Sequence, residues 1–516
     1  MKKKFFNLMG AFFSVILFNL SCSAGVNNAS NTLHVSGPIE ITSESYPFNA
    51  ASHSRVPQDL TEFNYIEEEY FVSGKANVYD GDADGNVFVR TPDAPYTTRI
   101  LIRRPVDKSK FSGNVIVELN NPTAMYDMDL QWMFCRDFFI ENGDIWAGIT
   151  VKPVAVQALK KFDPERYASM SFANPLPPEK RCEITPSPLN DTSVETENGL
   201  VWDIVSQVGK LLKSNSELNP IRDYNVEYLI ATGYSQTGGY LTTYINLIHP
   251  LDAAKLADGS PIFDGYMIGD GDAFIAPINQ CAGSLPAGDS NVTIKPRKVP
   301  IISVTTQGLL HSTMIARRPD SDTAGDKFRR YEVPGSAHVN QKSMDSAPSS
   351  ADIQKAGVGA APSNCSGVDK YGVTNFPFEF FMNSAFNNLY TWIRKGTPPP
   401  TAEPILIEKN ADGNETNIKL DEFGNALGGV RNPYVDVPVA TYYGQSRPLD
   451  EQSAFLCSLL GYREPFDNTK IKNLYPTRED YLSKVNAMVD GMVNERFLIK
   501  SDGKRIKKEV QGMNAW

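Results

Sequence analysis

The chain has 516 residues, 41% of them hydrophobic and 21% charged, with a formal net charge of -10. That is ordinary globular composition, enough for one large elaborated domain or two smaller ones, and disorder is not the default for it. The acidic balance argues against nucleic-acid or polyanionic partners, since short basic groups such as Arg297-Lys298 and the tail around Lys504 to Lys508 make no basic stripe.

Residues 1–24 read as a signal peptide: Lys2, Lys3 and Lys4 precede an apolar run from Phe5 to Leu20, followed by small residues Ser21 to Ala24. Two processing routes compete. Leu20-Ser21-Cys22 resembles a lipoprotein box, but Asn19 stands where such boxes usually carry leucine. No later stretch reaches the roughly 20 apolar residues that a membrane span needs. The expectation is an exported protein, periplasmic, secreted or an outer-membrane lipoprotein, with membrane attachment only through a lipidated Cys22. Export permits disulfides, and five cysteines remain beyond Cys22: Cys135, Cys182, Cys281, Cys365 and Cys457. An odd count leaves at least one unpaired. Cys135 lies in the amphipathic stretch 128–139 and reads as a buried thiol, whereas Cys281 and Cys365 both sit in Gly/Pro/Ser-rich loops and are the expected pair. No cysteine or histidine has zinc-ligand spacing, and no cofactor or metal is expected.

Residues 25–516 are expected to form a single elaborated domain. Residues 35–110 alternate with period two between turn residues, as antiparallel hairpins do. Within them Asp80, Asp82 and Asp84 have the alternation of a calcium loop, but the place of the bidentate glutamate is taken by Thr91, and the flanking 76–79 and 87–90 favour a hairpin turn with solvated acids. After residue 113 strand-like and helix-like runs alternate. The sequence predicts strands at 113–120, 144–151, 226–231, 263–268, 299–305 and 328–333, and helices at 128–140, 194–214, 238–248 and 376–395. Such alternation predicts an α/β fold with a mainly parallel sheet covered by helices on both faces. The proline-rich segment 154–193 reads as a cap insertion.

The most informative string is Gly233-Tyr-Ser-Gln-Thr-Gly-Gly-Tyr240. An apolar strand runs into a glycine-flanked serine that opens a helix, the context in which a nucleophilic serine is lifted clear of a sheet edge. Thr237 replaces the glycine usual two residues after the serine. A histidine base should emerge after a later strand, at the same sheet end. His338 fits, following the 328–333 strand and the turn Pro334-Gly-Ser-Ala337; His311 is the competitor, and His249, His34 and His53 are placed elsewhere in the pattern. The acid is less defined. Asp320 is favoured, with Asp270 of Gly269-Asp-Gly-Asp272 as the alternative, because the loop Thr306-Gln-Gly-Leu-Leu310 has no carboxylate; a serine-histidine pair oriented by the Gln307 amide is a further reading.

The serine string, together with Pro95-Tyr-Thr-Thr-Arg-Ile-Leu-Ile-Arg-Arg-Pro105, Tyr331-Glu-Val-Pro-Gly-Ser-Ala-His338 and Asp421-Glu-Phe-Gly-Asn-Ala-Leu-Gly-Gly-Val-Arg-Asn-Pro433, resembles the bacterial alpha/beta-hydrolase domain-containing family of large exported proteins, over roughly residues 35–460. The resemblance implies an alpha/beta-hydrolase fold with Ser235 as nucleophile, His338 as base and an esterase-like activity. The family often carries a glutamate where Gln307 stands, a departure that leaves the acid open. The expected chemistry is acyl transfer to Ser235 from a small-molecule or lipid-like ester, with the oxyanion held by the amide of Gln236 and a donor near Asn120 and Asn121. Activity dependent on a histidine base should rise with pH through about 6.5. The alternatives are a catalytically impaired hydrolase-fold binding protein and a calcium-supported structural domain.

Overall fold

The structure, a computed structural model, describes residues 33–82, 85–183, 193–283, 289–409 and 416–513; the expected signal peptide and Cys22 lie outside them. Ten strands make one sheet: β1 (His34–Ser36), β2 (Tyr65–Gly81), β3 (Val87–Pro105), β4 (Asn114–Leu119), β5 (Ile145–Ile149), β6 (Tyr228–Tyr234), β7 (Gly265–Gly269), β8 (Ile301–Thr306), β9 (Ser321–Thr323) and β10 (Asp326–Val333). Their order is β1-β2-β3-β5-β4-β6-β7-β8-β10-β9. From β5 through β10 neighbouring strands are parallel, whereas β1, β2, β3 and β9 join antiparallel. β4, β5, β7 and β8 are buried at every residue. Continuous apolar runs such as Ile-Trp-Ala-Gly-Ile suit a parallel sheet wetted on neither face.

Two apolar cores lie on the two faces. One gathers α2 (Pro153–Phe162), α3 (Val201–Lys213) and α4 (Gln236–Thr243); the other gathers α1 (Leu130–Asn142), the helix Phe378–Lys395 and the C-terminal helices Arg478–Asn494 and Lys500–Gln511. The sequence-predicted strands each appear, displaced by a few residues at their ends. The helix read at 238–248 instead starts at Gln236 and passes into a π-helical turn over Tyr244–Ile248. The segment 154–193, read as a cap insertion, includes all but the first residue of α2, because Pro153 at the first helical position and Val154, Ala155, Val156, Ala158, Leu159 and Phe162 supply a helix start and an apolar stripe.

The described residues after α2 are also tied to the sheet. Ser171 bridges to Thr97 on β3, and beyond the insertion Trp202 on α3 donates to the Ile278 carbonyl in the loop after β7, 2.6 Å away. Cys182 closes a disulfide with Cys281 in that same loop, and Cys365 pairs with Cys457, while Cys135 is free and buried. The expected Cys281–Cys365 pairing is therefore corrected: loop composition marked both as accessible, but the tertiary return of the insertion decides which sulfur each one meets. Asp80, near the end of β2, pairs with Arg90 at 3.3 Å, and Asp82, just beyond the strand, accepts the Asn86 amide; Asp84 lies outside the described residues.

β11 (Ile407–Lys409) and β12 (Thr416–Ile418) pair antiparallel as a small two-stranded sheet, and β13 (Ala440–Tyr443) and β14 (Tyr462–Pro465) make another. No helix among the described residues is long and apolar enough to cross a membrane.

Candidate active site

β6 ends at Tyr234 and α4 begins at Gln236, so the change of direction falls on one residue. Ser235 has φ 55° and ψ -122°, a conformation that costs a non-glycine residue on the order of 1–3 kcal/mol. The surroundings hold it there. The Ser235 amide donates to the Gly269 carbonyl at 2.8 Å, and Asn121 Nδ2 donates to the Tyr234 carbonyl at 2.7 Å. Gly233 is required because a Cβ there would approach the Thr237 carbonyl oxygen to 2.4 Å. Thr237, standing where a glycine is usual, contributes its own clamp: its hydroxyl accepts from the Tyr234 amide at 3.2 Å and lies 3.1 Å from the Tyr234 carbonyl as donor. Ser235 is 9% exposed, at the N-terminus of α4, where the helix dipole favours negative charge.

β7 is the neighbour of β6, and the next residue after it is Asp270, with φ 43°. Its carboxylate is fully buried and fully used. Oδ1 accepts the Thr306 amide at 2.8 Å, while Oδ2 accepts the Thr306 hydroxyl at 2.6 Å and meets His338 Nδ1 at 2.6 Å. β8 thus supplies the acid's hydrogen bonds and β10, parallel beside it, supplies the histidine. The His338 carbonyl accepts from Tyr234 Oη at 2.8 Å, and the two rings lie 4.9 Å apart. Burial, and then the Asp270 charge, hold the Tyr234 phenol well above its usual range, so it remains a donor. The residue preceding the serine is therefore bonded to the histidine's own backbone.

Asp320, the favoured acid in the sequence, is placed elsewhere. It accepts the Arg330 amide at 3.0 Å and lies 3.4 Å from Arg329, near the outer edge of the sheet. Arg330 precedes the last residue of β10 by three positions, about 10 Å of strand, and His338 lies beyond that. Gln307 does not orient the imidazole either. Its Oε1 accepts the Gly335 amide at 2.7 Å, bracing the turn that leads to His338. His311 is exposed in the short helix Leu310–Thr313, on the rim of a cavity of about 580 Å³ that neither Ser235 nor His338 lines.

The expectation for Asn121 also needs correction. Its backbone amide donates to the Met128 carbonyl at 2.7 Å, its Nδ2 donates to the Tyr234 carbonyl and its Oδ1 accepts the Thr123 amide, so it builds the loop between β4 and α1 and its backbone donor is not turned to an oxyanion. That loop is held from below by buried charges. Asp127 pairs with Arg99 at 3.5 Å and Asp129 pairs with Arg103, both arginines standing on β3. Burial raises both carboxyls above their ordinary range, opposed by the facing guanidinium in each case. Gln236 opens α4 immediately after the serine, with its side chain 3.5 Å from the Thr123 hydroxyl.

Thr306 was not singled out in the sequence as a site residue, having no signal beyond standing at a strand end. Among the described residues no cluster of histidine, cysteine and carboxylate side chains could hold a metal ion.

No curated protein sequence matches the chain. Among solved structures, esterase Est22 is 12% identical with a TM-score of 0.29, covering 57% of this chain and 79% of its own. An esterase from the fungus Rhizomucor miehei is 13% identical with a TM-score of 0.29, covering 67% and 88%. A dienelactone hydrolase from Klebsiella pneumoniae is 10% identical with a TM-score of 0.26, covering 55% and 95%. Likenesses of that size carry no argument about activity. A family model described as an alpha/beta hydrolase domain, however, matches residues 35–508, and with the sheet order and the strand-to-helix turn at Ser235 it follows that the chain belongs to that alpha/beta-hydrolase family.

Proposed function

We propose that the protein is an exported serine hydrolase that cleaves carboxylic esters through an acyl-enzyme. The observation that carries this reading is the Asp270–His338 contact at 2.6 Å, made beside a serine held at positive φ on the adjoining strand end. With Nδ1 donating to Asp270, the imidazole keeps Nε2 as the basic nitrogen. Nε2 takes the proton of Ser235 Oγ as that oxygen attacks the ester carbonyl. The resulting oxyanion lies toward the first turn of α4, with the Gln236 amide as the nearest donor and the helix dipole behind it. Collapse of the tetrahedral adduct transfers the proton from Nε2 to the leaving alcohol. Water then enters and gives a proton to Nε2 as its oxygen attacks the acyl carbon; collapse of this second adduct breaks the bond to Ser235 Oγ, returns the proton from Nε2 to that oxygen, and releases the acid. Asp270, fixed by both hydrogen-bonding groups of Thr306, holds the ring and stabilises the imidazolium of each transition state.

Because Asp270 occupies Nδ1, the missing carboxylate at Gln307 does not leave the histidine without an acid. Export is supported by the lysine-led apolar segment of residues 1–24 and by two disulfides, which suit an oxidising compartment. The test is hydrolysis of a p-nitrophenyl ester panel of graded acyl length by the wild type and by Ser235→Ala. Turnover of one or more esters that Ser235→Ala loses is expected; equal rates for the two proteins would remove the reading.

A further inference from the structure

The sequence carries two aspartates after β7, and only Asp270 is used above. Asp272 is fully buried and pairs with Arg330 on β10, and its Oδ2 also accepts the Ser303 hydroxyl of β8 at 2.8 Å. Its other oxygen, Oδ1, has no partner among the described residues. Arg330 continues the chain of charges: Nε donates to Glu332 at 3.2 Å and Nη2 to the Thr313 carbonyl at 3.1 Å, and Glu332 in turn receives both Arg317 nitrogens at 2.6 and 2.7 Å. A row of four alternating charges therefore runs inward from Arg317 to a point two residues from the acid of the site.

Such a row is poor evidence for stability. Removing charges from water costs about as much as their attraction returns, and apolar replacements are often neutral or better. What the row does fix is position. The turn 270–272 is where the elements bearing the three site residues meet. Asp270 stands at φ 43°, and its amide donates to the Val304 carbonyl of β8 at 2.7 Å. Gly271 lies against the nucleophile, since a Cβ there would fall 1.9 Å from the Ser235 carbonyl oxygen. The Asp272 carbonyl accepts the Thr242 hydroxyl of α4 at 3.1 Å, and its carboxylate reaches Arg330 on the strand that delivers His338. Asp272 thus touches α4, β8 and β10 at once.

We infer that the Asp272–Arg330 pair is a positioning device that holds the turn 270–272 so that Asp270, Ser235 and His338 stay in register, rather than a contributor to fold stability. The inference rests on the serine-hydrolase reading for its kinetic consequence, but not for its geometric one. Misplacement of a catalytic group by about 1 Å costs on the order of a hundredfold in rate, so relaxing this turn should act on kcat.

The experiment compares the wild type with Asp272→Asn and with Asp272→Asn/Arg330→Met, the second variant removing the charge that the first leaves unpaired in the interior. Two quantities are read: kcat and KM on a p-nitrophenyl ester per fluorophosphonate-titrated site, and the low-field proton resonance of His338 Nδ1–H. Expected for both variants is a fall in kcat of roughly ten- to a hundredfold with KM within about twofold, and a shifted or broadened resonance. Recovery of stability in the double variant without recovery of kcat supports positioning. Folded variants with wild-type kcat and an unchanged resonance overturn it. Should Asp272→Asn fail to fold, the double variant decides. Should the wild type neither label nor turn over, the serine-hydrolase reading fails, while the resonance comparison still decides whether Asp272 holds the turn.

Discussion

At the scale of single residues, the site depends on which carboxylate faces the imidazole, and the two aspartates weighed in the sequence should behave differently. Asp270→Asn keeps the shape of the side chain but removes the charge and invites the wrong histidine tautomer, so kcat is expected to fall by roughly 10³- to 10⁴-fold. Asp320→Asn loses contacts only with Arg329 and the Arg330 backbone, and kcat should stay within about threefold, as for a substitution at the far side of a strand. Steady-state kinetics on the same ester checks both, and comparable losses would mean that the acid has been misassigned. Thr306→Val removes the hydroxyl that donates to Asp270 while keeping the backbone donor; a hydrogen bond to a charged group contributes about 1.5–3 kcal/mol, which corresponds to roughly a ten- to hundredfold lower kcat. Asp270 was named as an alternative in the sequence because it stands at the exit of the strand before 299–305. What could not be read was that Thr306, thirty-six positions later, would supply two of its hydrogen bonds. Contacts of that range are set by which strands become neighbours, and a single sequence does not state strand order.

At the scale of elements, strand existence was legible because the central strands are buried on both faces and their apolar runs are nearly unbroken. Their ends were less legible, since β6 continues to Tyr234 through Thr232 and Gly233, residues chosen for the turn. The start of α1 shows a different kind of concealment. Glu118, next to last in the apolar β4, accepts the Gln131 and Trp132 amides at 2.7 and 3.1 Å and Trp146 Nε1 at 2.8 Å, so the first turn of α1 is capped by a residue twelve positions upstream of it. Burial outweighs those three donors and pushes its carboxyl up to about 8 from 4.5. The folded protein then keeps a proton that the unfolded chain releases, so this contribution to stability is full below about 4.5 and is lost as pH rises toward about 8. Urea midpoints should therefore fall between pH 5 and 8. In Glu118→Gln the baseline should be lower, because one acceptor is lost, and the slope across that window should flatten; an unchanged slope would assign the pH dependence to other groups.

At the scale of the whole molecule, the insertion after β5 and the long C-terminal region are pinned by contacts that span the chain. The Cys182–Cys281 and Cys365–Cys457 bridges close sequence separations of 99 and 92 residues. Loops of that length are where cross-linking restricts the unfolded chain most, and Cys457→Ser is expected to lower stability by about 2–4 kcal/mol, measured by urea unfolding of the oxidised protein. A change under about 0.5 kcal/mol would indicate that the bridge adds little to the folded state. The fold class and the alternation that builds it were legible because they repeat along the chain, and so was the serine string, because it combines a strand, a glycine and a helix start. The cysteine partners and the carboxylate that faces His338 were not: the first depend on where irregular segments return, the second on strand order. The C-terminal helices, outside the part read for elements, complete the second core against Phe378–Lys395.

The account stands on Ser235 being activated by His338 in the folded protein. The most direct measurement is reaction with a fluorophosphonate followed by mass spectrometry of the intact protein and its peptides, on the wild type and on His338→Ala. One adduct per chain, on Ser235 and all but absent in His338→Ala, is the expected result. No adduct on folded wild-type protein, or an adduct on another residue, would contradict it.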